Sequence, residues 1–118
     1  MIATKQLPVE VLQELTNEFV AGLAARAAVM REAIDEIVRG PSADAAHRLR
    51  LTAHALVGTA GSFGAAELVP HAERLESLGM EWQRDNGAAT RASITDAWRA
   101  LDLLMTSIAG VTARLRAR

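Results

Sequence analysis

His47-Arg48-Leu49-Arg50-Leu51-Thr52-Ala53-His54-Ala55-Leu56-Val57-Gly58-Thr59-Ala60-Gly61-Ser62-Phe63-Gly64 carries two interleaved rows of residues. Leu49, Ala53, Leu56, Ala60 and Phe63 alternate steps of four and three, the seam of a helix packed in a bundle. His47, Arg50, His54, Gly58 and Gly61 recur at the same spacings. At about 100° per residue the second row lies on the side away from the first. The stretch predicts a helix with one side in a core and the other, centred on His54, in solvent.

Punctuation on either side sets the architecture. Gly40-Pro41-Ser42, Phe63-Gly64 and Asp85-Asn86-Gly87 hold residues that end helices or make turns. Four segments of helical length remain. The first runs from Pro8 to Arg39, with Leu12, Leu15, Phe19, Leu23, Met30, Ile34 and Ile37 as its apolar stripe. Pro8 suits a first helical turn, and Thr16-Asn17 is where this helix can break near its N-terminus. The second starts after Pro41, with Ser42 or Asp44 as cap. The third spans Ala66 to Arg84 with a stripe of Leu68, Ala72, Leu75 and Trp82, and Pro70 is expected to distort its first turns. The fourth spans Thr90 to Leu115, with Ile94, Trp98, Leu101, Leu104 or Met105, Ile108 and Leu115 facing inward. Short links make neighbours antiparallel. An all-α, antiparallel up-down four-helix bundle, one domain over residues 1–118, is the simplest fold that buries four such stripes.

The bulk properties close off other classes. Half the 118 residues are hydrophobic, enough for one core. A net charge of −1 gives no electrostatic case for nucleic acid, and the basic tail Arg114, Arg116 and Arg118 complements a helix dipole. The absence of cysteine excludes disulfides, thiolate metal sites and cysteine nucleophiles. No apolar run reaches the length of a membrane span, about 20 residues. The opening MIATKQLPVEV lacks the apolar stretch of a signal peptide. A cytoplasmic domain without membrane contact is expected, freestanding or as part of a membrane-bound sensor.

The chemistry concentrates on the His54 side of the second helix. Glycine inside a helix costs about 1 kcal/mol relative to alanine, and Gly58 and Gly61 are both expected inside this one. A bare backbone beside an exposed imidazole suits something that must approach the ring closely. Gly58 to Gly64 is not a phosphate-cradling loop, since no strand precedes it and no Lys-Ser/Thr pair follows. His47 and His71 are read as surface residues, and Arg50 between His47 and His54 argues against a metal site there. Trp82 and Trp98 are read as core. Glu73, Glu76, Asp96 and Asp102 are read as solvated helix faces, with no pair of carboxylates set up for acid–base work.

The run from His54 to Gly64 resembles the signature of histidine phosphotransfer (HPt) domains of two-component phosphorelays. That signature is roughly His, any residue, Leu, Lys, Gly, Ser or Ala, then small residues ending in a hydrophobic residue and Gly. Ala65-Ala66-Glu67-Leu68 and Glu73-Arg74-Leu75-Glu76 resemble the family's next helix. The resemblance implies that His54 is the phosphoacceptor, that Gly58 leaves room for the phosphoryl group, and that the second helix with part of the first docks a receiver domain. Arg50 is then a supporting cation, and Leu51, Val57 and Gly61 belong to the docking surface.

The resemblance further implies a phosphocarrier rather than a turnover enzyme. It accepts a phosphoryl group from a response-regulator receiver aspartate and passes it to another, alone or within a hybrid sensor kinase. It needs no cofactor of its own, since the receiver brings Mg²⁺. A monomer that docks transiently is expected. One position departs: Val57 stands where the family has Lys. The competing expectation is a phosphorylation-independent interaction module whose site Val57 marks as degenerate. A purely structural bundle, in which Gly58→Ala stabilises at no functional cost, ranks last.

Overall fold

The protein is described over residues 8–117 in a computed structural model. Four α-helices carry the described chain: α1, Val9–Arg39; α2, Ala43–Ala60; α3, Val69–Arg84; and α4, Arg91–Arg116. Two single 3₁₀ turns, Gly61–Phe63 and Ala66–Leu68, join α2 to α3.

Each boundary has a local cause. Pro8 precedes α1, where no intrahelical N–H is needed. Ser42 caps α2, its hydroxyl accepting the Ala45 N–H at 3.1 Å. Gly64 ends the first 3₁₀ turn in the left-handed region, φ 74°. Pro70 sits in the first turn of α3. The expected distortion there is the 3₁₀ turn Ala66–Leu68 just before it. Thr90 and Ser93 close a capping box at the start of α4, each hydroxyl accepting the other's N–H at 3.0 Å.

Cross-helix pairs fix the directions. Phe19 stacks on Phe63 with centroids 4.6 Å apart, while Glu36 pairs with Arg48. His54 meets Glu76, and His47 meets Gln83. Arg74 pairs with Asp96, and Trp82 with Ser93. In each of the pairs α1–α2, α2–α3 and α3–α4, numbers rise on one helix as they fall on the next, so these neighbours run antiparallel. α4 returns against α1, closing a four-helix bundle.

The core is built from Leu23, Met30 and Ile34 of α1, Leu49 and Leu56 of α2, Leu75, Leu78 and Trp82 of α3, and Leu101, Leu104 and Leu115 of α4. Buried alanines such as Ala53, Ala60, Ala72 and Ala97 let the helices approach between these side chains. The Trp82 indole N–H donates to Ser93 Oγ at 2.9 Å, so the largest buried side chain hangs on the capping box of α4. Gly87 (φ 85°) locks the α3–α4 turn onto the start of α2. A Cβ there would lie 2.1 Å from the Ser42 carbonyl carbon, and the Gly87 carbonyl accepts the Ser42 N–H at 3.2 Å.

Four expectations need correction. α1 does not break at Thr16-Asn17: Thr16 Oγ donates to the Leu12 carbonyl at 2.9 Å and the Gln13 amide to Asn17 at 3.1 Å, so both polar side chains are satisfied within the helix. Leu12 and Leu15 continue the stripe yet stay 46% and 40% exposed, because α2 ends at Ala60 and Phe63 closes the apolar layer at Phe19. Trp98 is half-buried and packs against the core from its margin. Gly61 lies outside the helix interior, where α2 gives way to the 3₁₀ turn. Of the two glycines, the penalty for glycine inside a helix therefore applies to Gly58 alone.

Candidate functional site

His54 occupies the fourth turn of α2, one step off the buried seam of Ala53 and Leu56. Helical geometry turns it outward, and its side chain is 70% exposed. The ring does not stand alone. Its Nδ1 lies 2.7 Å from Oε2 of Glu76, which reaches across from α3 and is itself largely covered. A carboxylate only accepts hydrogen bonds, so Nδ1 carries the proton. Nε2 is left as the basic nitrogen. The contact selects one tautomer and aims its lone pair away from α3.

Glu76, expected on a solvated helix face, is instead largely covered and turned onto His54. The signal was present in the spacing. Glu76, Gly79 and Gln83 recur on α3 at three and four, and His47, Arg50 and His54 do so on α2. Two such rows on antiparallel neighbours face one another.

The rest of the row is tied in the same way. Arg50 Nε donates to Gln83 Oε1 at 2.8 Å, and Gln83 Nε2 lies 3.1 Å from His47 Nδ1. Arginine can only donate, so the glutamine oxygen faces it and the amide N–H donates to His47. His47 is thus half-buried and bonded, not the free surface residue expected. The Arg50 head is held at Gln83, two turns along α3 from Glu76. It borders a cleft of about 220 Å³ with Met80, Gln83 and Arg84.

Gly58 lies one turn beyond His54 and is exposed; a Cβ there would meet nothing within 4 Å. Packing within the chain does not require glycine at this position. The same holds for Gly61. Leu51 is 47% exposed and borders a groove with Ala25, Arg26, Val29, Thr52 and Ala55. Val57 is half-buried and packs against the core. The position that departs from the HPt pattern therefore contributes to the bundle as well as to its surface.

The turn following the site is fastened from α4. Arg114 donates to the Gly64 carbonyl and pairs with Glu67. Its guanidinium holds the Glu67 carboxyl below the usual glutamate range. Among the described residues no three histidine, aspartate or glutamate side chains gather as a metal site. No helix among them is long and apolar enough to cross a membrane.

A single exposed imidazole, bonded to a carboxylate from the neighbouring helix, stands on the outside of the four-helix bundle. A family model, the Hpt domain, matches residues 14–111, and the chain belongs to that family. Membership brings a phosphotransfer role in two-component signalling and interaction with receiver domains. No curated protein and no solved structure gave a significant match.

Proposed function

We propose that His54 accepts a phosphoryl group from the aspartyl phosphate of a receiver domain and passes it to a second receiver. The observation that carries this reading is the 2.7 Å contact between Nδ1 and Glu76 on a ring otherwise open to solvent. Nε2 attacks phosphorus in line. The Nε2–P bond forms as the bond from phosphorus to the aspartate oxygen breaks, and the aspartate leaves as a carboxylate. The ring, still protonated on Nδ1, becomes cationic, and Glu76 faces the new positive charge. Phosphoryl transfer is governed by positioning and charge neutralisation. The α2–α3 pair supplies the positioning, and the receiver supplies Mg²⁺ and the charges around the transferred group. Passing the group on reverses the same steps.

Gly58 admits the partner's surface next to the ring. Leu51, Val57 and Gly61 form the docking side of α2, extended by the α1 groove at Ala25 and Val29. Arg50, parked on Gln83, is the cation of this row and the residue from which positive charge is drawn toward the site.

The test is transfer from a radiolabelled phospho-receiver to the chain, with His54→Gln as control. Acid-labile label on the wild type and none on the variant is the expected result. Receiver binding without transfer would replace this reading by the phosphorylation-independent module, with Val57 as its mark.

A further inference from the structure

α2 and α3 pack more extensively than any other pair of helices, and at Gly79 their backbones come close together. A Cβ built on Gly79 would lie 2.8 Å from the Arg50 nitrogen and 3.0 Å from both its Cα and its Cβ. Real Cβ atoms do not approach other atoms at 2.8 Å. The obstructing atoms are backbone and the root of a side chain, so no rotamer change relieves the clash. Gly79 is buried at this crossing. Any other residue would push α3 off α2.

The crossing lies one turn from the site on both helices. Glu76 precedes Gly79 by three residues, and His54 follows Arg50 by four. Glu76 has a short reach, and its carboxylate stands at 2.7 Å from Nδ1. Separating the helices by the half ångström or so that a Cβ demands would stretch this contact to the limit of good hydrogen-bond length, about 3.2 Å. Gly64 and Gly87 adopt positive φ, but Gly79 does not. Its requirement comes from the neighbouring helix, not from its own backbone.

We propose that Gly79 is a positioning residue for His54: by setting the α2–α3 distance it keeps Glu76 on Nδ1 and so keeps Nε2 as the basic nitrogen. The proposal rests on the phosphoacceptor reading for its consequence in transfer, but its tautomer effect stands apart from that reading.

The experiment compares wild type, Gly79→Ala, Glu76→Ala and the double variant. The ¹⁵N shifts of the His54 ring report the tautomer, and labelled phospho-receiver reports transfer. In Gly79→Ala the Nδ1–H form should give way to a mixture, and transfer should fall about tenfold, the scale of one lost hydrogen bond. In the Glu76→Ala background the same substitution should change neither quantity. A Gly79→Ala protein with wild-type tautomer overturns the proposal, as does an equal loss in the two backgrounds.

Should Gly79→Ala not fold, Glu76→Asp decides. The shorter side chain cannot span the set distance, so an unchanged tautomer in that variant also overturns the proposal. A wild type that never takes up phosphate, yet responds to Gly79→Ala in its tautomer, refutes the phosphoacceptor reading and leaves this one standing.

Discussion

The α2–α3 and α1–α4 contacts are built from different materials. Across α2–α3 run three polar links, His54 to Glu76, Arg50 to Gln83 and Gln83 to His47, around a glycine crossing. Across α1–α4 the contact is smaller and largely apolar. It leaves an open cleft of about 280 Å³ between Ala24, Ala27 and Ala28 of α1 and Met105 and Ile108 of α4, with Arg31 at its edge. Apolar packing is non-directional and fixes no angle of a side chain. Hydrogen bonds do fix angles, and they are concentrated where one imidazole has to be held in one orientation. The two sides divide the work: one supplies part of the core, the other a defined ring.

This contrast can be broken by substitution on either side. The largest effect is expected at Gly58. Gly58→Arg should reduce transfer at least a hundredfold, roughly the cost of misplacing reacting groups by an ångström, while the helical circular dichroism stays that of the wild type. Normal transfer by this variant would remove the docking side from α2.

On the opposite side, Ile108→Ala trims a half-buried side chain at the margin of the α1–α4 cleft. It should lower stability in urea by about 1–2 kcal/mol, less than a fully buried site costs, with transfer unchanged. A transfer defect there would mean that the two sides are coupled.

The smallest effect concerns the Arg114–Glu67 pair. The folded state holds the Glu67 pKa down, so its contribution to stability is present above the ordinary glutamate pKa and is lost as pH falls through the lowered value. Both groups are exposed, so the contribution is small. Thermal melts of Glu67→Gln should sit slightly below wild type at neutral pH, and the gap should close in acid, below about pH 4. A gap that persists in acid would assign the effect to something other than the ion pair.

The four helices were legible in the sequence because most causes of their ends are local, although α2 stops at Ala60 and α3 starts at Val69, where helix was expected up to Phe63 and from Ala66. Ser42 caps, Gly64 turns left-handed, and Thr90 and Ser93 cap each other, all within a few residues. The outward position of His54 was legible because one helix's period decides it. What was hidden depends on two helices at once. Glu76 finds His54 only once α3 has a height and a distance against α2, and no residue near Glu76 in sequence records either. Leu12 and Leu15 failed for the same reason from the other direction. Their period promises a partner that α2 is too short to provide.

Gly87 and Gly79 acquire a joint meaning from this. The first seats the α3–α4 turn on the start of α2, and the second seats α3 on its middle. α2 is a beam clamped at two points by backbone on backbone, and neither clamp has a side chain that could rotate to let the beam slip. Sliding α3 along α2 would require both seats to open together. The register of the His54 row against the Glu76 row is therefore set by backbone contacts at two separate points.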